Sequence, residues 1–362
     1  MAGMMAADCP ELKRRAHQSQ LRRYAIWLLA AFLTTSVTSR AAEPSANAPR
    51  LTVAILTFED QTADPEAAHW RYTIDRLLTD RLKEAKALRR IPAAFGYRQL
   101  TVKRGGPISA EQARKIGELL EARRVVWGSY RRQGQQWLVT ARVLNVASGK
   151  AGKELKAVSA DWYEVRDQLT DQILKELGVK PSDAERQKMR RRGTSVPLAL
   201  EWFSKTFAGK EERKPLADLE ISIRKALEAD PQFANAHTAL AVVLGSQGKF
   251  EPAEEAARQA VKLRPDSAGA RGTLGIVLMF QGNFAEAEKE LREARRLDPD
   301  DAETPSRLGE CSQLQGKRDD AIALWNEAKQ LDPTDAPTHA HLGHAYALKR
   351  EREKALRELK EA

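Results

Sequence analysis

A chain of 362 residues is long enough for two domains, and its formal net charge of +10 is unevenly distributed. Residues 42–195 carry 29 Lys and Arg against 19 Asp and Glu, whereas residues 196–362 carry 25 against 29. The basic residues are scattered, without a basic helix or an aromatic-interleaved stripe, which disfavours a nucleic-acid-binding protein. The only two cysteines, Cys9 and Cys311, exclude a thiolate metal site.

The amino-terminal segment has the three parts of a secretory signal. Basic residues, the last of them Arg23, precede an apolar run from Tyr24 to Val37, and small residues follow at Ser39 and Ala41. This run is shorter than the ~20 residues that a spanning helix needs. Residues 1–41 are therefore predicted to be a signal peptide or, as an alternative, an uncleaved anchor, and residues 42–50 a flexible spacer. The expected location is periplasmic or secreted, or alternatively anchored to the inner membrane and facing the periplasm.

Residues 51–179 are predicted to form a compact α/β domain. Leu51–Phe58 alternates and is β-branched, and Ser109 with Gln112 forms a capping box at the start of a helix. Turns at Gln133-Gly134 and Ser148-Gly149 separate three consecutive strands. The predicted order is β-α-(β)-α-β-β-β-α, with elements at Leu51–Phe58, Trp70–Leu88, Ser109–Ala122, Arg124–Arg131, Gln136–Val146, Glu154–Ala160 and Asp161–Leu177.

Several motifs in this domain point to a known family. They are Val53-Ala-Ile-Leu-Thr-Phe58 with Asp60 and Asp64-Pro65, Ile116-Gly-Glu-Leu-Leu120, Val125-Val-Trp-Gly-Ser129 followed by Tyr130-Arg131, and Val143-Leu-Asn-Val-Ala-Ser-Gly149. On these residues the domain resembles the TolB-type amino-terminal domain that bacteria often place before tetratricopeptide arrays. The resemblance implies a mixed sheet and a periplasmic interaction domain that binds without catalysis. Relatives often carry a DNA-binding or signalling domain before the membrane segment, where this chain has its leader.

Residues 180–195 are polar and are predicted to link this domain to an internal repeat. Four prolines, Pro231, Pro265, Pro299 and Pro333, mark the repeat at intervals of 34 residues. In each unit a leucine precedes a small residue, a glycine or its equivalent separates helix A from helix B, and alanines recur where helices cross. This pattern resembles the tetratricopeptide repeat (TPR), which implies helical hairpins that stack into a solenoid.

The TPR resemblance extends over residues 196–362, and the predicted fold class is thus an α/β mixed-sheet TolB-like domain followed by an all-α TPR solenoid. At the fourth position His237, Arg271, Pro305 and His339 replace the usual aromatic residue, which predicts weaker packing. Pro305 fits a helix if Thr304 caps it. The last repeat is expected either to be capped by a partner or to continue in a longer gene product. The units are a divergent repeat at 200–233, repeats at 234–267, 268–301 and 302–335, and a partial repeat at 336–362.

The concave face of the solenoid is the predicted partner-binding surface. It offers an apolar patch on the second full repeat with acidic groups beside it, so a helix or extended segment with apolar anchors and a basic end would fit. The alternative is that Ile276 and Phe280 pack against the neighbouring repeat. The predicted partner-binding residues are Asn235, Thr238, Val242, Ile276, Met279, Phe280, Glu303, Glu310 and His344.

No catalytic, cofactor-binding or metal site is predicted. His341 and His344 share a helix face, but His339 falls on the buried side of its repeat, so the three cannot converge on one metal. Arg104-Gly-Gly-Pro107 lacks the Lys-Ser/Thr of a phosphate-binding loop. An enzyme is therefore not expected.

The sequence favours a non-catalytic adaptor of the bacterial cell envelope that binds a protein or peptide in the TPR groove. Two alternatives remain open: a membrane-anchored regulatory or sensor protein, and the TPR targeting half of a larger enzyme. Nucleic acid and small-molecule substrates are not expected as partners, whereas the amino-terminal segment could provide membrane anchoring.

Overall fold

The computed structural model describes residues 50–62, 64–91, 106–333 and 335–362. The predicted leader at 1–41, the spacer up to residue 49 and Arg104 lie outside the described residues. Of the described residues, 213–324 form one compact unit, and 50–212 form another together with 325–362.

In the described residues, the unit that begins at residue 50 is built on a seven-stranded mixed sheet. The strand order is β3-β1-β4-β5-β6, with β2 beside β4 and β7 beside β5. β1 is parallel to β3 and β4, whereas β4, β5 and β7 are antiparallel neighbours. The strands are β1 Leu51–Ile55, β2 Glu59–Asp60, β3 Leu88–Ile91, β4 Arg124–Gln133, β5 Gln136–Asn145, β6 Lys150–Ala151 and β7 Leu155–Ser159.

One 3₁₀ helix and five α-helices of this unit precede residue 213 in the described residues. A 3₁₀ helix, Pro65–Trp70, leads into the first α-helix. The capping box that the sequence predicts at Ser109 and Gln112 is confirmed, and the Asp161 side chain caps the helix that follows β7. The helices are α1 Arg71–Leu82, α2 Ala110–Leu119, α3 Trp162–Leu177, α4 Asp183–Met189 and α5 Pro197–Glu211.

Side-chain alternation along β4 and β5 gives the sheet two different faces. On one face Tyr130, Trp137 and Trp162 are buried together, with the Trp137 and Trp162 rings 4.6 Å apart. On the other face Ile116 of α2 packs against Val125 and its neighbours in a buried cluster. The mixed-sheet part of the predicted fold class is therefore confirmed.

The predicted helix Trp70–Leu88 is wrong at its carboxyl end. Residues 65–70 form the 3₁₀ helix, and α1 ends at Leu82. Leu88 lies in β3, paired with Leu51 of β1. The spacing of Leu77 and Leu88 fits a helix face, but backbone hydrogen bonding to β1 favours an extended chain.

The segment 180–195, predicted as a linker, is attached to the α/β domain. It contains α4, in which Glu185 accepts a hydrogen bond from the backbone N–H of Lys86 at 2.9 Å. The backbone N–H groups of Gly193 and Thr194 donate to the Tyr163 hydroxyl. These bonds link the segment to the sheet domain at both ends.

Helical hairpins follow from Ala234 onward, as the repeat predicts, whereas α5 and the helix after it, which cover the predicted divergent repeat at 200–233, fall in different compact units. Gly248, Gly282 and Gly316 have φ of +76°, +86° and +79°, which confirms that they break helix A from helix B. Arg350 takes this role in the last hairpin with φ +62°. The helices are α6 Leu216–Ala229, α7 Ala234–Ser246, α8 Phe250–Leu263, α9 Ala268–Gln281, α10 Phe284–Leu297, α11 Glu303–Leu314, α12 Arg318–Leu331, α13 Ala336–Leu348 and α14 Arg352–Glu361.

Three helix A starts share a capping position that the sequence analysis missed. The side chains of Ser267 and Asp335 cap α9 and α13. At the equivalent position Asp301 accepts hydrogen bonds from the backbone N–H and the hydroxyl of Thr304. Thr304 is therefore not the cap of α11, and Pro305 is its third residue, because the chain enters the helix two residues earlier than predicted.

In three repeats the fourth position is occupied by a polar side chain that bonds to the backbone, the exception being Pro305. Arg271 Nε donates to the carbonyl oxygen of Pro265 at 2.8 Å. His237 and His339 place Nε2 2.9 Å from the carbonyl oxygens of Pro231 and Pro333. A hydrogen bond to the carbonyl of the repeat-closing proline thus replaces the packing of an aromatic ring.

Candidate partner-binding surface

Three of the predicted binding residues lie on helix α7. Asn235, Thr238 and Val242 are all half-buried, and their spacing places them on one helix face. Asn235 Oδ1 accepts a hydrogen bond from Arg264 at 3.0 Å, and the Thr238 hydroxyl donates to the carbonyl of Ala234 at 3.1 Å. We refer to Asn235, Thr238 and Val242 as the α7 strip.

The three apolar residues predicted for the groove are buried. Ile276, Met279 and Phe280 of α9 are 5%, 0% and 7% exposed. The Phe280 ring lies 5.9 Å from the ring of Phe250. The open apolar patch that the sequence suggested is therefore not an accessible surface in this structure, as expected if these side chains pack within the fold.

The predicted acidic residues of α11 are joined by an arginine. Arg307 contacts Glu303 at 3.0 Å and Glu310 at 2.9 Å. Glu310 is buried, whereas Glu303 is exposed. Burial alone would lower the pKa of Arg307, but the carboxylates of Glu310 and Glu303 outweigh it and hold that pKa above its ordinary value. Both acids are thus paired with a cation of their own helix.

The sequence contained a signal for this ion pair. Glu303, Arg307 and Glu310 are spaced by four and three residues, which places their side chains on one face of a helix. The two acids were predicted as binding residues from their position in the repeat, and Arg307 between them was not among the predicted residues.

His344, the last predicted residue, lies on α13 in the other compact unit and is exposed. In the same hairpin His339 is buried, with Nδ1 2.7 Å from Glu358 Oε2, and His341 stacks on Trp325 at 5.1 Å. The described part of the chain contains no cluster of His, Cys, Asp and Glu that could hold a metal ion.

Cys311 is buried in the repeat unit. Burial raises the pKa of its thiol, and Sγ lies 3.7 Å from the carbonyl oxygen of Phe284. A buried thiol with a raised pKa is a poor nucleophile, so this side chain has a packing role.

None of the helices in the described ranges combines the length and apolar character needed to cross a bilayer. The predicted anchor, Tyr24–Val37, lies outside those ranges.

Comparison with known proteins identifies the helical repeats. Residues 203–339 match the family model of the cytochrome c-type biogenesis protein H TPR domain. A curated relative, the putative adenylate cyclase 3 of Rhizobium meliloti (strain 1021), is 26% identical over 213 residues, which is 56% of this chain. The chain spans only 34% of that relative's length.

Solved structures with a similar fold cover slightly less than half of the chain. The pilF protein of Pseudomonas aeruginosa is 24% identical with a TM-score of 0.41, covering 45% of this chain and 74% of its own. MamA of Desulfovibrio magneticus RS-1 is 18% identical with a TM-score of 0.39, covering 46% and 94%. The thermophilic TPR protein TTC0263 of Thermus thermophilus is 23% identical with a TM-score of 0.41, covering 44% and 87%. Because these TM-scores are below 0.5, the assignment depends on the family model and on the repeat: the chain contains a TPR-type domain.

Proposed function

We propose that this protein is a non-catalytic adaptor whose TPR-type domain binds a partner protein or peptide. The observation that carries the proposal is the TPR-type domain itself, because TPR folds generally mediate protein–protein interaction. In stacked helical hairpins the helix A side is the side that an elongated partner generally contacts.

The structure narrows the surface that a partner could reach. Ile276, Met279 and Phe280 are buried, so the proposed contact shifts to the α7 strip and to the exposed carboxylate of Glu303. The α7 strip offers an amide, a hydroxyl and a small apolar group. It therefore suits an extended peptide that supplies backbone hydrogen-bonding groups and short apolar side chains.

The proposed setting is the bacterial cell envelope. Its support is the signal-like pattern of residues 1–41 and the TolB-like motifs of residues 51–179 in the sequence. In this setting the α/β domain contacts one envelope component while the repeats hold another.

The test is crosslinking and capture from the cell envelope with the full chain. Thr238→Arg places a long cation on the α7 strip, whereas Gln259→Arg makes the same charge change on helix B of the same hairpin, α8. We expect the native chain and the Gln259→Arg variant to capture the same partner in similar amounts. The Thr238→Arg variant should capture about tenfold less of it, or lower still. Equal capture by all three proteins, with unchanged circular dichroism, would remove the α7 strip from the proposal.

A second candidate function is favoured by the curated relative. That relative is named a putative adenylate cyclase, and this chain spans 34% of it. The chain would then be a membrane-anchored regulatory or sensor protein, or the TPR targeting half of a larger enzyme. Intact mass of the envelope-extracted protein separates these cases: a mature start near Ala42 excludes the anchored form, and mass beyond Ala362 indicates the larger enzyme.

A further inference from the structure

Among the described residues, one face of the sheet is covered over only part of its length. Helix α2 packs on the end of the face that carries Val125 and Leu144. Towards the other end Leu138 is half-buried, and Val158 is 39% exposed. The sheet therefore presents an accessible surface beyond the reach of α2.

The strand register defines the members of this surface. Arg131 lies opposite Leu138, and Leu138 opposite Val158. Arg142 and Lys156 project from the same face, because residues two apart on a strand share a side. We call Arg131, Leu138, Arg142, Lys156 and Val158 the open sheet face.

The open sheet face combines two apolar side chains with three exposed cations. From Arg124 through Val158 the sequence has seven Lys and Arg and one acidic residue, Glu154. Glu154 contacts Lys156 at 2.9 Å and Arg142 at 3.9 Å. Lys156, followed by Arg142 and Arg131, holds the pKa of Glu154 below its usual range, so one ionised carboxylate lies among three cations.

The adjacent edge of the sheet is closed to strand addition. Gln172 accepts a hydrogen bond from the Lys156 N–H and donates to its carbonyl oxygen at 2.7 Å. Gln168 accepts from the Val158 N–H at 3.2 Å. These glutamines occupy outward-facing backbone groups of β7, so a partner must lie across the face rather than extend the sheet.

The charge and the side-chain chemistry of the open sheet face indicate which kind of molecule could bind there. A second copy of this face would oppose cations to cations, which disfavours a symmetric dimer. Three cations with a carboxylate among them are too few for a phosphate polymer, whose binding depends on many neutralised phosphates. Leu138 and Val158 give apolar contact area that a purely ionic surface lacks.

We propose that the open sheet face is a docking site for an acidic amphipathic helix of a partner protein. The apolar side of the helix would cover Leu138 and Val158, and its Asp and Glu residues would face Arg131, Arg142 and Lys156. This site is separate from the TPR-type domain and does not depend on the α7 strip.

The test uses the full chain and synthetic helical peptides of about 16 residues, which span roughly 24 Å. One set carries Leu on one face with Glu on both sides of it, and a matched set carries Lys in place of Glu. Binding is measured by fluorescence anisotropy at low and at high salt. The protein variants are Arg131→Glu with Arg142→Glu, and the control Lys115→Glu with Lys150→Glu, which makes the same charge change elsewhere on the α/β domain.

The proposal predicts that the Glu peptides bind the native chain, with weaker binding at high salt. Affinity should fall about tenfold or more in the Arg131/Arg142 variant, and less than about threefold in the control. Leu138→Ser with Val158→Ser should also lower affinity while the salt dependence is retained. Circular dichroism of each variant checks that the domain is folded.

Three results would overturn the proposal. They are absence of binding by the Glu peptides, equal loss in the control variant, and equal binding by the Lys peptides. Phosphatidylglycerol vesicles are tested in the same way. If the native chain binds the vesicles but not the peptides, and the Arg131/Arg142 variant binds neither, the open sheet face is a lipid-binding surface instead.

Discussion

Gly275 and Gly343 occupy the same position in two repeats but have different surroundings. A Cβ at Gly275 would lie 2.7 Å from Leu291 Cγ and 3.1 Å from the Ala287 carbonyl oxygen. Leu291 is fully buried and the carbonyl belongs to the helix backbone, so neither can yield. We expect Gly275→Ala to lower the free energy of unfolding by about 1–3 kcal/mol, measured by denaturant titration.

Gly343→Ala is the matched control. Its Cβ would lie 2.7 Å from Leu359 Cγ, but Leu359 is 51% exposed and can rotate away. We expect Gly343→Ala to leave the free energy of unfolding nearly unchanged or to raise it slightly, since alanine is favoured over glycine in a helix by up to ~1 kcal/mol. Equal destabilisation by both substitutions would contradict this explanation.

His339 and His237 form the same bond to a proline carbonyl but differ in a second partner. His339 also contacts the buried carboxylate of Glu358, which Lys329 contacts at 2.8 Å. We expect His339→Ala to lower the free energy of unfolding by about 2–3 kcal/mol, because it leaves a buried carboxylate with fewer partners. His237→Ala should lower it by about 1 kcal/mol. Protection of α13 and of α7 against hydrogen exchange measures the two effects.

The pH dependence of the last hairpin should depend on Glu358. Burial alone would raise the pKa of Glu358, but Lys329 and His339 hold it below its usual range. A carboxyl group whose pKa is lowered in the folded state stabilises the fold at pH values above its unfolded-state pKa of about 4.3. This contribution is lost as the pH falls through the folded-state pKa. The stability difference between the native chain and Glu358→Gln should shrink as the pH falls below about 5. A difference that stays constant down to about pH 3 would argue against this role.

At the scale of elements, Gln168 and Gln172 protect the edge of the sheet. Replacing both with Ala leaves the outward N–H groups of Lys156 and Val158 without these acceptors. We expect faster amide exchange at Lys156 and Val158 and concentration-dependent association, because an open edge strand pairs with other chains. Lys175→Ala, an exposed change on the same helix, should do neither when the proteins are compared by hydrogen exchange and light scattering.

Local sequence signals predicted the elements whose ends are determined by nearby residues. The capping box at Ser109 and the positive φ of Gly282 follow from side-chain and backbone chemistry within a few residues. The end of α1 is not determined by nearby residues, because Leu88 pairs with Leu51, which is distant in the sequence. Propensity and spacing contain no information on such a partner.

The binding surface was harder to predict than the hairpins. The 34-residue repeat identified the TPR-type domain and the helix face of each residue, but not which faces stay accessible. Met279 is fully buried although its repeat position is one that faces the groove in the TPR pattern. Accessibility depends on tertiary packing, which the repeat pattern does not encode.

At the scale of the whole molecule, a stack of hairpins distributes stability between neighbours. Leu291 of α10 is fully buried beside Gly275 of α9, so it contributes to packing inside the repeat unit. Leu356 of α14 is 50% exposed in the last described hairpin. The same Leu→Ala change should therefore have very different consequences at the two sites.

Leu291→Ala is expected to cost about 2–5 kcal/mol, because it leaves a cavity that helix backbones cannot close. Leu356→Ala should stay within about 0.5 kcal/mol. Hydrogen exchange gives the sharper readout: loss of protection should spread from α10 to its neighbours α9 and α11, since each hairpin is stabilised by the next. If protection fell only within α10, the repeats would behave as independent hairpins and the nearest-neighbour description would be wrong. If it fell equally over the sheet domain as well, the chain would unfold as one cooperative unit.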